Sequence, residues 1–68
     1  MRNLYFVLEE TVAIDGELYP TYSIVNPMAG VCHDVTCDRN KAYKIAKRFN
    51  NANLSPVHMF DAIEDSII

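Results

Sequence analysis

The sequence predicts an α+β fold, a three-stranded antiparallel meander followed by two helices packed on one face (β-β-β-α-α), and three observations carry that prediction. Apolar residues alternate with a period of two through residues 4–12 and again through 18–25, on either side of Asp15-Gly16. The period lengthens to three and four at Ala42, Ile45, Ala46 and Phe49, which marks a helix. A second helix start follows in Ser55-Pro56, where proline suits the first helical position because its missing N–H has no intrahelical partner there.

In the first strand Leu4, Phe6, Leu8 and Val12 share one face, and Tyr5, Val7, Glu9 and Thr11 share the other. In the second, Leu18, Tyr22 and Ile24 form the apolar set. A two-residue Asp15-Gly16 turn would set Leu8 opposite Ser23 and mix apolar with polar positions, since a one-residue slip flips every side chain. A three-residue loop, Ile14-Asp15-Gly16, instead pairs Val12 with Leu18, Leu8 with Tyr22 and Phe6 with Ile24. That register is expected, with Leu4, Phe6 and Leu8 facing the helices. It sets Glu10 opposite Pro20, the two residues that break the pattern, either as a functional notch or as a solvated region beyond the helices' reach. Pro20 cannot donate to a ladder, so the second strand is expected to be unpaired on one side there, or bulged.

Asn26-Pro27-Met28-Ala29-Gly30 has turn chemistry, and residues 31–36 alternate as a short third strand, with Val31 and Val35 on one face and His33 between them. Thr36 or Asp38 caps the first helix, and Asn50, Asn51 and Asn53 end it, because asparagine tolerates the left-handed closing conformation. Ser55 is expected to cap the last helix. Its buried stripe is expected at Val57, Phe60 and Ile63, with Met59 and Ile67 as further candidates.

At 68 residues the chain has room for one small domain, residues 1–68, and its stability margin is thin. Its composition, 50% apolar and 22% charged, is that of a folded protein. The apolar run at the N-terminus stops at Glu9-Glu10, too short for a membrane span, so the expected location is cytoplasmic. A net charge of −3 argues against a general phosphate-binding surface.

Chemistry-bearing residues are few. Cys32, His33, Cys37 and His58 offer zinc-ligand types but lack a Cys-x-x-Cys knuckle, and adjacent Cys32 and His33 point to opposite faces of a strand. Cys37 near a helix start, with His33 or His58, is the enzymatic reading, and nothing in the sequence supplies an oxyanion hole or a cleft. No enzyme activity, cofactor, metal or small-molecule substrate is expected.

The charges are more informative. Lys41, Lys44 and Arg48, with Lys47 beside them, line one side of the first helix and are candidate anion contacts. Asp61, Glu64 and Asp65 cluster on the second helix, where carboxylates near a C-terminus oppose the dipole and invite a basic partner. With the helices over Leu4, Phe6 and Leu8, the open sheet face would carry Tyr5, Val7, Tyr19 and Val25, more apolar than solvent requires.

The segment Ser55-Pro56-Val57-His58-Met59-Phe60-Asp61-Ala62-Ile63-Glu64-Asp65 resembles the C-terminal signature of a family of short proteins of unknown function, in which a Ser/Thr-Pro-Val/Ile start precedes an Asp and an acidic pair. Asp34-Val35-Thr36-Cys37-Asp38 and Tyr5-Phe6-Val7-Leu8-Glu9-Glu10 resemble it too, although Cys37 stands where a Ser or Thr would suit a cap. The resemblance implies a bacterial protein of the kind found mainly in Gram-positive anaerobes, and brings no activity, substrate or site with it. The function expected from the residues is binding, as a homodimer or by docking on another protein through the open sheet face. A nucleic-acid module using Lys41, Lys44, Lys47 and Arg48 is the alternative, and a small metal- or thiol-dependent protein the third.

Overall fold

The computed structural model describes residues 3–67. Strands β1 (Phe6–Ile14), β2 (Glu17–Asn26) and β3 (Gly30–Thr36) form an antiparallel sheet in the order β1-β2-β3. Helix α1 (Arg39–Ala52), a 3-10 turn (Pro56–His58) and helix α2 (Met59–Ile67) follow. The β-β-β-α-α arrangement is the one the patterning predicts.

The register is not. Ile14 pairs with Glu17 across a two-residue Asp15-Gly16 turn, and the ladder continues without a break through Leu8 opposite Ser23 to Phe6 opposite Val25. Both turn residues have positive φ, 52° at Asp15 and 80° at Gly16, the backbone a tight hairpin needs to match the twist of its strands. Turn chemistry therefore overrides the alignment of apolar faces. Glu10 consequently pairs with Thr21, and Pro20 with Thr11. The expectation for Pro20 holds, since β3 pairs with β2 only from Tyr22 onward.

One further contact decides which face of β1 turns inward. The Asn50 side-chain amide accepts from Tyr5 N (2.8 Å) and donates to Tyr5 O (3.0 Å), pairing with the backbone as a neighbouring strand would. Tyr5 then reaches under α1, its hydroxyl donating to Leu54 O at 2.6 Å and its ring meeting Phe49 edge-on at 5.3 Å. Tyr5 and Ile24 join Val35, Ile45, Ala46, Phe49, Met59 and Ile63 in one buried cluster, with Val7 and Cys32 packed against it. Tyr5 and Val7, expected on the open face, thus lie on the covered one. Leu4, Phe6, Leu8 and Val12 are displaced from the expected core to the opposite face.

In β3 the parity also changes. It uses four residue steps from Cys32 to Thr36 where β2 uses two, and Asp34 absorbs the irregularity at φ 54°. Val31 therefore stays with Val25 on the open side while Val35 is buried under the helices, so the two valines do not share a face as expected.

Helix α1 follows its sequence closely. Asp38 is the cap, its carboxylate accepting from Lys41 N at 3.2 Å, and Thr36 Oγ1 accepts from Asp38 N at 3.0 Å. Ala42, Ile45, Ala46 and Phe49 are the buried residues. Asn53, left-handed at φ 48°, closes the helix as Leu54 N bonds Phe49 O. The second helix departs more. Ser55 makes no side-chain cap bond, and its carbonyl instead accepts from His58 N in the 3-10 turn. That tighter turn rotates the following residues, so the stripe is Met59, Ala62 and Ile63. Val57 (82% exposed), Phe60 (50%) and Ile67 face outward, correcting the expected stripe.

Candidate functional site

The helices cover only part of the sheet. The molecule measures 43 × 21 × 17 Å, and most residues of the β1–β2 hairpin around the turn are exposed, Leu18 at 73%. On the face away from the helices lie Leu4, Phe6, Leu8, Ile14 and Tyr19, exposed between 42% and 55%, with half-buried Val12, Val25 and Val31 among them. At its hairpin end a groove of about 340 Å³ is lined by Val12, Ile14, Tyr19, Pro20, Asp34 and Cys37.

The centre of this face is polar and closed. Glu10 Oε1 accepts from Ser23 Oγ at 2.5 Å and meets His33 Nδ1 at 2.8 Å, so the contact spans all three strands. Ser23 Oγ accepts in turn from Asp34 N at 3.1 Å, and Thr21 Oγ1 donates to the Asp34 carboxylate. Ser23 and Thr21 are buried beneath these groups without any helix above them. Hydrogen bonds from Ser23, then from His33, hold the Glu10 carboxyl below the usual carboxylate range. Of the two expectations for Glu10, a functional notch or a solvated carboxylate beyond the helices, the second is not met, because its carboxylate is bonded to Ser23 and His33 on the face the helices leave open.

Of the sheet-face residues singled out from the sequence, Tyr19 and Val25 are on this face and Tyr5 and Val7 are not. Glu17 shares the Tyr19 end, where its carboxylate accepts the Tyr19 hydroxyl and raises that phenol's pKa. Phe6 and Leu8, expected in the core, lie on this face, together with Glu10, read from the sequence as a notch or a solvated residue, and His33, read as a metal or thiol-partner candidate. Asp15-Gly16, in its preferred two-residue turn, is the signal that sets Leu8 and Glu10 on one face with Ser23 and Thr21, while the choice of covered face rests on the Asn50 and Leu54 contacts to Tyr5.

The charged helices are arranged more plainly. Lys41, Lys44 and Lys47 are exposed along α1, while the Arg48 guanidinium donates to Ser66 Oγ on α2. Asp61 sits in the first turn of α2, because the α-helix starts only at Met59, and a carboxylate there is favoured by the dipole. Only Glu64 and Asp65 remain at the unfavourable end. Asp65 lines the groove between the helices together with Arg48.

Burial pushes the Cys32 thiol up, and its side chain packs against the core on the face opposite His33. Cys37 is exposed beside the Asp38 cap. Among the described residues, no three His, Cys, Asp or Glu side chains come within reach of one ion. No described helix is long and apolar enough to cross a membrane.

No curated protein and no solved structure gives a significant match to the chain. A family of unknown function (DUF6514) matches residues 4–68, and the chain belongs to that family.

Proposed function

We propose that this chain is a small, non-enzymatic binding module that docks on another protein through the open sheet face. The observation that carries the reading is that β1 turns Phe6, Leu8 and Ile14 to solvent on one face while its neighbour Tyr5 is buried on the other. The partner is a different chain rather than a second copy, because Glu10, Glu17 and Asp34 all lie on this face and two copies face to face would oppose carboxylates. Cys37 makes no hydrogen bond to His33 or His58 among the described residues, and the His33 ring is held by Glu10, so a Cys37 thiol–imidazole pair draws no support from this geometry.

A photoreactive residue placed at Leu8, and separately at Lys44, tests this in cells. Leu8 should yield one discrete crosslinked species that disappears when Phe6→Glu is added. A species of twice the chain mass would keep the face and replace the partner by a second copy. Crosslinking from Lys44 alone would overturn the reading.

A second reading is favoured by one observation, that α1 carries Arg39, Lys41, Lys44, Lys47 and Arg48 with no carboxylate. It makes α1 a nucleic-acid contact, and predicts salt-sensitive retention on a DNA column. Flow-through at low salt removes it.

A further inference from the structure

The open face has a shape that limits what can cover it. Its middle strand contributes the small, buried Thr21 and Ser23, between the taller Phe6 and Leu8 of β1 and Val31 and His33 of β3. At ~3.3 Å per residue β1 is roughly 30 Å long, and with strands ~4.8 Å apart the face is about 10–15 Å wide where β3 pairs with β2, from Tyr22 to Asn26, and narrows to two strands toward the hairpin tip. That is the footprint of one helix, about 10 Å across and about 20 residues long.

Charge narrows the choice. Between Asn3 and Arg39 the sequence holds no Lys or Arg, so the basic side chain of the open face is His33, against Glu10, Glu17 and Asp34. Glu10 lies at mid-face with both described bonds on Oε1, and Oε2 accepts none among the described residues. Apolar ground flanks it on both sides, Phe6, Leu8 and Val31 toward the sheet's base and Val12, Ile14 and Tyr19 toward the hairpin tip.

From this arrangement we infer that the open face receives a basic amphipathic helix of about 20 residues, its contacting stripe apolar at both ends with an arginine or lysine in the middle against Glu10. The inference rests on the docking role proposed above and adds the chemistry of the partner. Nucleic acid is repelled by the same carboxylates, and an acidic or neutral helix leaves them unanswered.

The test uses the full isotope-labelled chain and three synthetic peptides of one amphipathic design, about 20 residues long. The first has a leucine stripe interrupted centrally by arginine and lysines elsewhere; the others carry glutamate or glutamine in place of every cation. The basic peptide should shift the amide signals of Leu8, Glu10, Ser23 and Val31, gain helicity, and bind at least about tenfold more tightly at low salt than the acidic one, a margin that salt erodes. Glu10→Gln should reduce that margin several-fold. Equal binding of all three peptides to this face, at every salt concentration, would overturn the charge preference and leave the docking face standing. Shifts confined to α1 or α2 with a silent open face would overturn both.

Discussion

On the covered face of the sheet, Ile24 is fully enclosed in a cluster with Ile45, Phe49 and Met59; on the open face, Phe6 and Leu8 of the adjacent strand keep close to half their surface in water. The same three strands build both. The covered face excludes water with side chains from two helices, whereas the open face shuts only its centre, with hydrogen bonds among Glu10, Ser23, His33, Thr21 and Asp34. The difference teaches that alternation in β1 shows which residues share a face, and that the helices' attachment decides which of the two becomes core.

The comparison can be broken most sharply by truncation. Ile24→Ala is expected to cost ~2–5 kcal/mol, and Ile24→Val about 1 kcal/mol, through lost burial and the cavity left behind. Leu8→Ala should cost less than about 1 kcal/mol, as for a surface position. Urea unfolding followed by circular dichroism measures all three, and equal losses at Leu8 and Ile24 would mean that the two faces are not distinguished as described.

A smaller effect is expected at the attachment itself. Asn50→Ala removes the two bonds to the Tyr5 backbone and should cost about 2 kcal/mol, at about 1 kcal/mol per bond. The informative readout is local: amide exchange at Tyr5 should rise well before that of Ile24. Uniform exchange across the sheet would show that Asn50 does not orient β1.

The least effect, and the most specific, concerns the polar centre. The Glu10 carboxyl is lowered in the folded chain, so its stabilising contribution is complete above the ordinary carboxylate range and is lost as pH falls through the lowered folded value. Glu10→Gln should therefore lower the neutral plateau slightly and flatten the acid limb, so that variant and wild type converge once pH has fallen through the lowered Glu10 value. An acid limb identical to wild type would remove Glu10 from the account of the open face.

Much of the molecule was legible from local chemistry. Asp38, Asn53 and the stripe Ala42, Ile45, Ala46 and Phe49 act as the sequence predicts, because a cap, a left-handed terminator and a 3.6-residue period each work within a turn or two of chain. The face of β1 was not legible, since Leu4, Phe6 and Leu8 offer more apolar surface than Tyr5 and Val7. Tyr5 is core because its hydroxyl, ring and backbone all find partners on α1 and the loop after it, 44 to 49 positions downstream. The stripe of α2 shifted for a related reason, as Pro56 opened a 3-10 turn rather than the helix itself.

Element order, turn positions and the limits of α1 thus follow from the chain read locally, because the interactions that set them span only a few residues. The inward face of β1, the closure of the sheet's outer centre by Glu10 and His33, and the apolar surface left open beside it depend on contacts across 13 to 49 residues. Those contacts exist only once α1 and β3 have been brought against the hairpin.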